Sequence, residues 1–578
     1  SYSQFDQILT GSVPLADTFA IGGSVAHYQR SGFGENLYTG ADHYNKKLTA
    51  GRLSALWQPT DDFKLRFAYD RTEDDSNAKH GHRLLPSGDG TIPVTENEYD
   101  TRGGAGDDNS VETEGWSITG EWAMNDIITL KSITAARESH TVTPIDFDAL
   151  PAQDFDVPAF YDDEQFSQEF QLLFDSGNWS GIAGVYYLDG EASGAFDLLL
   201  SSLGLTVYQG GTQTKENLSA YADVTWDFAN AWSLSFGGRY TQDDTTADVT
   251  REAWLGMGSA TFDPDNTGSL FLVTQTGYEG LTRSDDKFTP RISLSWEPAD
   301  DLTLYTSYSE GFKAGGFDPR ARQDLDPLGL SKDGFGPETV KSYEVGAKGS
   351  AIDGRLNYAA TLFLADYSDQ QITVQQGADS DNDGVNDTFV SSVFNAGVST
   401  YKGLELEGTF AATDALTFSG VLGYIDAEID EIISGGVNIA DNFVTQNTPE
   451  LTGRLGFDYF VPLGEHGSVN VNGSASYRDE YYLFNVPNEG FAAGTSAVFP
   501  DGGPALDPDA YTTLDLSAVW TSADDQWRVG LYGRNLTDER YRVAAYNFVT
   551  PSQLGADSAY STFYGAPRTV TASVEFRY

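Results

Sequence analysis

The chain closes on YGAPRTVTASVEFRY, residues 564–578, and the reading of this stretch decides the fold. Counted back from the end, Tyr578, Phe576, Val574 and Ala572 fall on one side of an extended strand, and Arg577, Glu575, Ser573 and Thr571 fall on the other, because successive strand side chains point to opposite faces. One face is oily and the other polar. A soluble antiparallel sheet has the same pattern. An alternating strand that ends on an aromatic, however, suits the edge of a hydrocarbon layer, where aromatic girdles sit.

The same alternation recurs along the chain at the length of a barrel strand, about 9–11 residues. In FKLRFAYD, Phe63, Leu65, Phe67 and Tyr69 oppose Lys64, Arg66, Ala68 and Asp70. In WSLSFGGRY, Trp232, Leu234, Phe236 and Tyr240 oppose Ser233, Ser235 and Arg239. In SVNVNGSASY, Val469, Val471, Ala475 and Tyr477 oppose Asn470, Asn472, Ser474 and Arg478. Periodicity alone does not separate a barrel with its apolar face outward from a β-sandwich with its apolar face inward.

The connections do. Short turns such as PLAD (14–17), PTDD (59–62), PADD (298–301), AIDG (351–354) and PLGEHG (462–467) alternate with long segments around 31–46, 73–111, 139–162, 191–213, 244–286, 311–337, 368–398, 429–446, 481–508 and 539–564. Short periplasmic turns and long extracellular loops are the signature of an outer-membrane barrel, whereas ten long loops count against a compact soluble domain. Ten turns and ten loops predict 21 strands in one all-β transmembrane antiparallel barrel spanning 1–578. Barrels of this class have an even number of strands, so the count also predicts that one strand is supplied by polypeptide outside this sequence.

Composition agrees. Gly 61, Tyr 31, Phe 34 and Trp 10 against Met 2 indicate turn-rich, aromatic β structure. Mean hydropathy is −0.36, as expected where only alternate residues face lipid. The formal charge of −52 argues against nucleic acid as a partner, since phosphates would be repelled. Cys is absent, which removes disulfides and thiol chemistry.

At this point several motifs become familiar together. GFKAGGFDPRA (311–321), PETVKSYEVGAKG (337–349), FNAGVSTYKGLELEG (394–408), NTPELTGRLGFDY (447–459), GRNLTDERY (533–541) and the closing stretch resemble the barrel of TonB-dependent receptors, the 22-stranded outer-membrane transporters of Gram-negative bacteria. The resemblance implies active uptake of a scarce nutrient, foremost a ferric siderophore-type complex. It also implies a nutrient ligand captured by the loops, surrounding outer-membrane lipid and lipopolysaccharide, and a plug domain engaging the TonB complex. No plug-like segment of roughly 150 residues and no TonB box is read in this sequence, so both are expected from a missing segment or a separate chain. The alternatives are a passive porin-like channel, or uptake of an oligosaccharide or another organic nutrient.

The sharpest local motif is DSDNDGVND. Asp379, Asp381 and Asp383 alternate, Gly384 permits a tight turn, Val385 offers a carbonyl and Asp387 stands ninth. This is the opening of a calcium loop, where alternate carboxylates wrap a hard cation, so structural calcium is expected there. Position 12 is Val390 and not a bidentate Glu, which favours a free-standing loop over an EF-hand. Phe312, Lys313, Phe317, Arg320 and Arg322 form an aromatic-cationic cluster suited to an anionic or aromatic ligand, or else the GFKAGGFDP part is architecture shared with the family and only lines the inner wall. Tyr481, Tyr482 and Phe484 could stack on sugar or catechol faces, or only pack their own loop. No GxSxG, HExxH or phosphate-cradling glycine loop is present, so no catalytic residues are expected.

Overall fold

The computed structural model describes residues 1–578 except 326–329, 379–387, 396, 435–436, 489, 491–492, 494–500 and 549–559. Among the described residues the long strands are Phe5–Ala16, Phe19–Arg30, Lys46–Thr60, Phe63–Asp74, Ser110–Ala123, Ile128–Asp146, Asp154–Ser176, Trp179–Leu200, Leu205–Ala229, Trp232–Leu255, Leu270–Ala299, Leu302–Lys313, Glu338–Ala351, Leu356–Ser368, Gly397–Thr413, Leu416–Ser434, Leu451–Pro462, Ser468–Arg478, Tyr511–Thr521, Trp527–Arg534 and Thr569–Phe576. These are the 21 expected. Each pairs antiparallel with the one before it, and a two-residue strand, Val437–Asn438, on the end of Leu416–Ser434 brings the sheet to 22.

Register shows which face is which. Phe63, Phe67 and Tyr69 stand opposite Trp122, Ile118 and Trp116, and Trp232, Leu234 and Phe236 stand opposite Trp296, Leu294 and Ile292. Near the short turns these rows end in indole stacks, Trp179 on Trp226 at 5.2 Å and Trp232 on Trp296 at 5.2 Å. That is an outward aromatic girdle at one edge of the apolar band. The opposite face carries ion pairs, Arg137–Asp70 at 2.6 Å and Arg291–Asp223 at 2.9 Å. Apolar residues face out and polar ones face in, as the alternation predicts.

The loops differ from the sequence reading in length. Strand Leu270–Ala299 has 30 residues, and the ladder of Trp179–Leu200 with Leu205–Ala229 runs unbroken to Leu200↔Leu205. The segment expected as a loop at 191–213 is therefore a hairpin closed by residues 201–204, and 244–286 is a ladder except for residues 256–269. The reason is that pairing does not stop at the membrane. In TQDDTTADVT, Thr241, Asp243 and Thr245 are buried and their neighbours exposed, a period of two written in polar residues.

The sheet curls until its ends meet. The Ser1 nitrogen donates to the Val570 carbonyl at 2.9 Å, and the Val570 amide donates to Ser1 Oγ at 2.9 Å. With an odd number of long strands, Phe5–Ala16 and Thr569–Phe576 run in the same direction. Among the described residues they form no ladder with each other: the first pairs with Phe19–Arg30 and the last with Trp527–Arg534.

Candidate functional site

Above the barrel the long connections pack into a layer, and the aromatic-cationic segment is part of it. Phe312 and Lys313 end strand Leu302–Lys313, half-buried and exposed respectively, while Phe317 and Arg322 are buried. Phe317 lies against the turn at Gly334. Arg320 is paired with Asp318 through Nε and Nη2 at 2.9 and 3.0 Å, and the same carboxylate accepts the Val393 amide at 2.7 Å. Asp285 likewise takes Arg283 through two bonds of 2.7 Å and the Gly315 amide at 3.0 Å. The structure thus divides the five predicted residues between interior and solvent, and the Arg320 charge is matched by its own loop.

Tyr481 and Tyr482 lie on a cavity of about 570 Å³ between the top of strand Leu416–Ser434, the 440–450 stretch and the 479–509 stretch. Phe443 and the acids Glu428, Asp441, Asp479, Glu480 and Asp507 share its wall. Tyr481 is buried with the Arg478 guanidinium 4.2 Å above its ring, and its hydroxyl donates to the Arg542 carbonyl at 3.0 Å. Burial raises the pKa of that hydroxyl. Phe484 points elsewhere, packing on the buried pair Leu506 and Tyr560 with Leu84 and Leu85. The predicted calcium-loop residues Asp379, Asp381, Asp383, Val385 and Asp387 lie outside the described residues.

A second knot was not read from sequence. Phe33, Tyr44 and Tyr99 meet edge to face or tilted with ring centroids 5.4–6.2 Å apart, and the Arg30 guanidinium sits 3.6 Å over Phe33. Beside them His43 Nδ1 donates to the Tyr99 carbonyl at 2.6 Å, and its Nε2 accepts the His80 amide at 2.9 Å. Burial drives the His43 pKa down to about 4 and that of Tyr44 up to about 12. Tyr99 donates to the Gly565 carbonyl at 2.6 Å across 466 residues of sequence. Local sequence carries no signal for a contact that remote. This knot ties the segments after Arg30 and Asp74 to the last loop of the barrel.

With this geometry in place, comparison with known proteins is decisive. Residues 74–536 match the family model described as TonB dependent receptor-like, beta-barrel. The chain belongs to that family. The family consists of transport receptors of the Gram-negative outer membrane, and this barrel is an outer-membrane barrel. Over 332 residues it is 28% identical to the metal-pseudopaline receptor CntO of Pseudomonas aeruginosa, a stretch that is 57% of this chain and 39% of that receptor. It is 25% identical over 341 residues to the pesticin receptor of Yersinia pestis, 58% of this chain and 41% of the receptor. The chain thus spans about two fifths of the length of the curated relatives it matches. The fold superposes on the ferric yersiniabactin uptake receptor FyuA from Yersinia pestis with a TM-score of 0.74 at 17% identity, covering 99% of this chain and 77% of that one.

Proposed function

We propose that this barrel serves active, TonB-dependent uptake of a metal chelate of the ferric siderophore type. The observation that carries the reading is the family match over 74–536, joined to relatives whose names concern metal-pseudopaline and ferric pyoverdine. The cavity at Tyr481 and Tyr482 is the capture surface in this reading. Its aromatic faces and hydroxyls suit a chelate, and its carboxylates disfavour a strongly anionic one. The chain itself makes and breaks no covalent bond. A plug domain, from a segment outside these residues or a separate chain, engages TonB and closes the lumen, since barrels near 22 strands need plugging. Lipid and lipopolysaccharide surround the outward girdle.

Deletion of the gene tests this. Accumulation of radio-iron supplied as catecholate, hydroxamate and mixed-ligand chelates should fall for one class and return on complementation. Unchanged uptake of every class, together with a large steady conductance from the complete protein in planar bilayers, would replace the transporter by a passive pore.

A further inference from the structure

The sequence carries the triplet DFD twice, Asp146-Phe147-Asp148 and Asp154-Phe155-Asp156, on the two sides of one extracellular hairpin. The chain leaves strand Ile128–Asp146, turns through 147–153 and re-enters as Asp154–Ser176, with Asp156 directly opposite Asp146 in the ladder. The register slips between Asp154 and Asp156, where Phe155 has φ 61°. Two acids facing each other across a ladder are destabilising in themselves, and here a third joins them. One carboxylate oxygen from each of Asp146, Asp148 and Asp156 lies within 4.8 Å of the others. All three residues are buried, with exposures of 1%, 0% and 1%.

Their hydrogen bonds are unequal. Asp146 accepts the amides of Ala149 at 2.5 Å and Ala105 at 3.2 Å, and Asp148 Oδ1 accepts the Leu150 amide at 2.8 Å. Asp148 Oδ2 and both oxygens of Asp156 have no hydrogen-bond partner. Leaving a buried polar atom without a hydrogen bond is costly, so three together demand a partner. The nearby Arg83 directs donors at the carbonyls of Leu85, Pro86 and Asp148. Burial raises the pKa of all three carboxyls, and repulsion from Asp146 adds to it at Asp148 and Asp156, as expected of a cluster shaped for a charge of opposite sign.

We propose that Asp146, Asp148 and Asp156 form a divalent-cation site selective for calcium, which locks the 147–153 turn onto the segment ending at Ala105. The donors are all oxygen, the choice of a hard cation. Ligands of one calcium ion, at about 2.3–2.6 Å from it, lie up to about 5 Å apart, which accommodates three carboxylate oxygens all within 4.8 Å of one another. Magnesium sheds its water shell reluctantly and is rarely held by an all-protein cage, so three carboxylates buried this fully favour calcium. This site is distinct from the DSDNDGVND loop and draws on none of its residues.

The test is calorimetric titration of calcium into the detergent-solubilised full chain at neutral pH. We compare wild type, Asp156→Asn, Asp148→Asn and the double variant Asp381→Asn/Asp383→Asn. Wild type should bind with a dissociation constant of about 10⁻³ M or tighter, the range of extracellular calcium modules. Asp156→Asn and Asp148→Asn should each weaken one site about tenfold or more. The double variant should leave that site intact, and equimolar magnesium should not displace the calcium. Should the single variants lose the heat-modifiable gel mobility of a folded barrel, calcium-dependent protection of residues 146–156 from hydrogen exchange in wild type decides instead. Unchanged binding in both folded single variants, or exchange in this segment indifferent to calcium, overturns the proposal. Equal competition by magnesium overturns its selectivity.

Discussion

Replacing Ile292 by arginine probes whether the face assigned to lipid meets lipid. Ile292 stands in strand Leu270–Ala299 between Phe236 and Tyr308 on the neighbouring strands. Four residues toward the turn lies Trp296, stacked on Trp232 in the girdle, and four residues the other way lies Phe288, opposite Tyr240. At about 3.4 Å per residue and a tilt of about 40°, each girdle is about 10 Å away along the membrane normal. Ile292 is thus at the midplane of an apolar band about 25 Å tall, where an arginine costs about 2–4 kcal/mol. Arg291, one residue away, faces the lumen and pairs with Asp223 at 2.9 Å, with side chains 50% and 35% exposed. A pair that wet contributes no more than about 1 kcal/mol, so Arg291→Gln should be nearly silent. Guanidinium-driven unfolding from phospholipid vesicles, followed by the gel shift between folded and unfolded barrel, measures both. Equal losses for the two variants, or a larger one for Arg291→Gln, would refute the assignment of faces.

Two further outcomes follow from the loop layer. His43 is held neutral, with its pKa lowered from the ordinary 6.5 to about 4 by burial. An unfolded His43 takes up a proton below pH 6.5, and the folded one resists until about pH 4. Its contribution is therefore intact above pH 6.5 and is lost as the pH falls between those values, by up to about 3 kcal/mol. Proteolysis of the 75–109 segment should accelerate across this window, and His43→Gln should flatten the profile. In the cavity, Tyr482→Ala should weaken chelate binding by up to about tenfold, the worth of one aromatic contact, at unchanged barrel stability. Quenching of tryptophan fluorescence by the added chelate reads this, and unaltered affinity would remove Tyr482 from the capture surface.

The strands were legible because lipid enforces the code: Phe63, Phe67, Trp232 and Phe236 alternate with polar residues wherever hydrocarbon lies outside. The same period beyond the membrane is spelled in threonine and aspartate from Thr241 on, and from Asp244 it reads as loop although it is ladder. Loop chemistry was less legible still. Arg320 stood out as a cation, but its Asp318 partner two residues away is visible only with the backbone turned. Tyr99 and Gly565 meet through no local pattern. The doubled DFD triplet was the one signal in the sequence for the buried carboxylates, and each copy stops after two alternating acids, short of the three and the following glycine that mark a calcium loop.

The closing strand Thr569–Phe576 carries the last expectation. Its amides and carbonyls point alternately to two edges, and Trp527–Arg534 pairs along one of them. The other edge faces Phe5–Ala16, whose backbone runs the same way, and among the described residues the hydrogen bonds across this seam join Ser1 and Gln4, just before that strand, to Val570 and Thr571. Half the polar groups of an eight-residue strand would then stand unpaired at hydrocarbon depth, at several kcal/mol each. A direct parallel ladder would break the alternation of the whole sheet and leave an odd count. We propose one further strand running opposite to both neighbours, which would satisfy both edges and restore an even number. Hydrogen exchange on the protein extracted from its native outer membrane measures this directly. Slow exchange is expected at every amide from Val570 to Glu575, and fast exchange at every second one would show that the seam stays open.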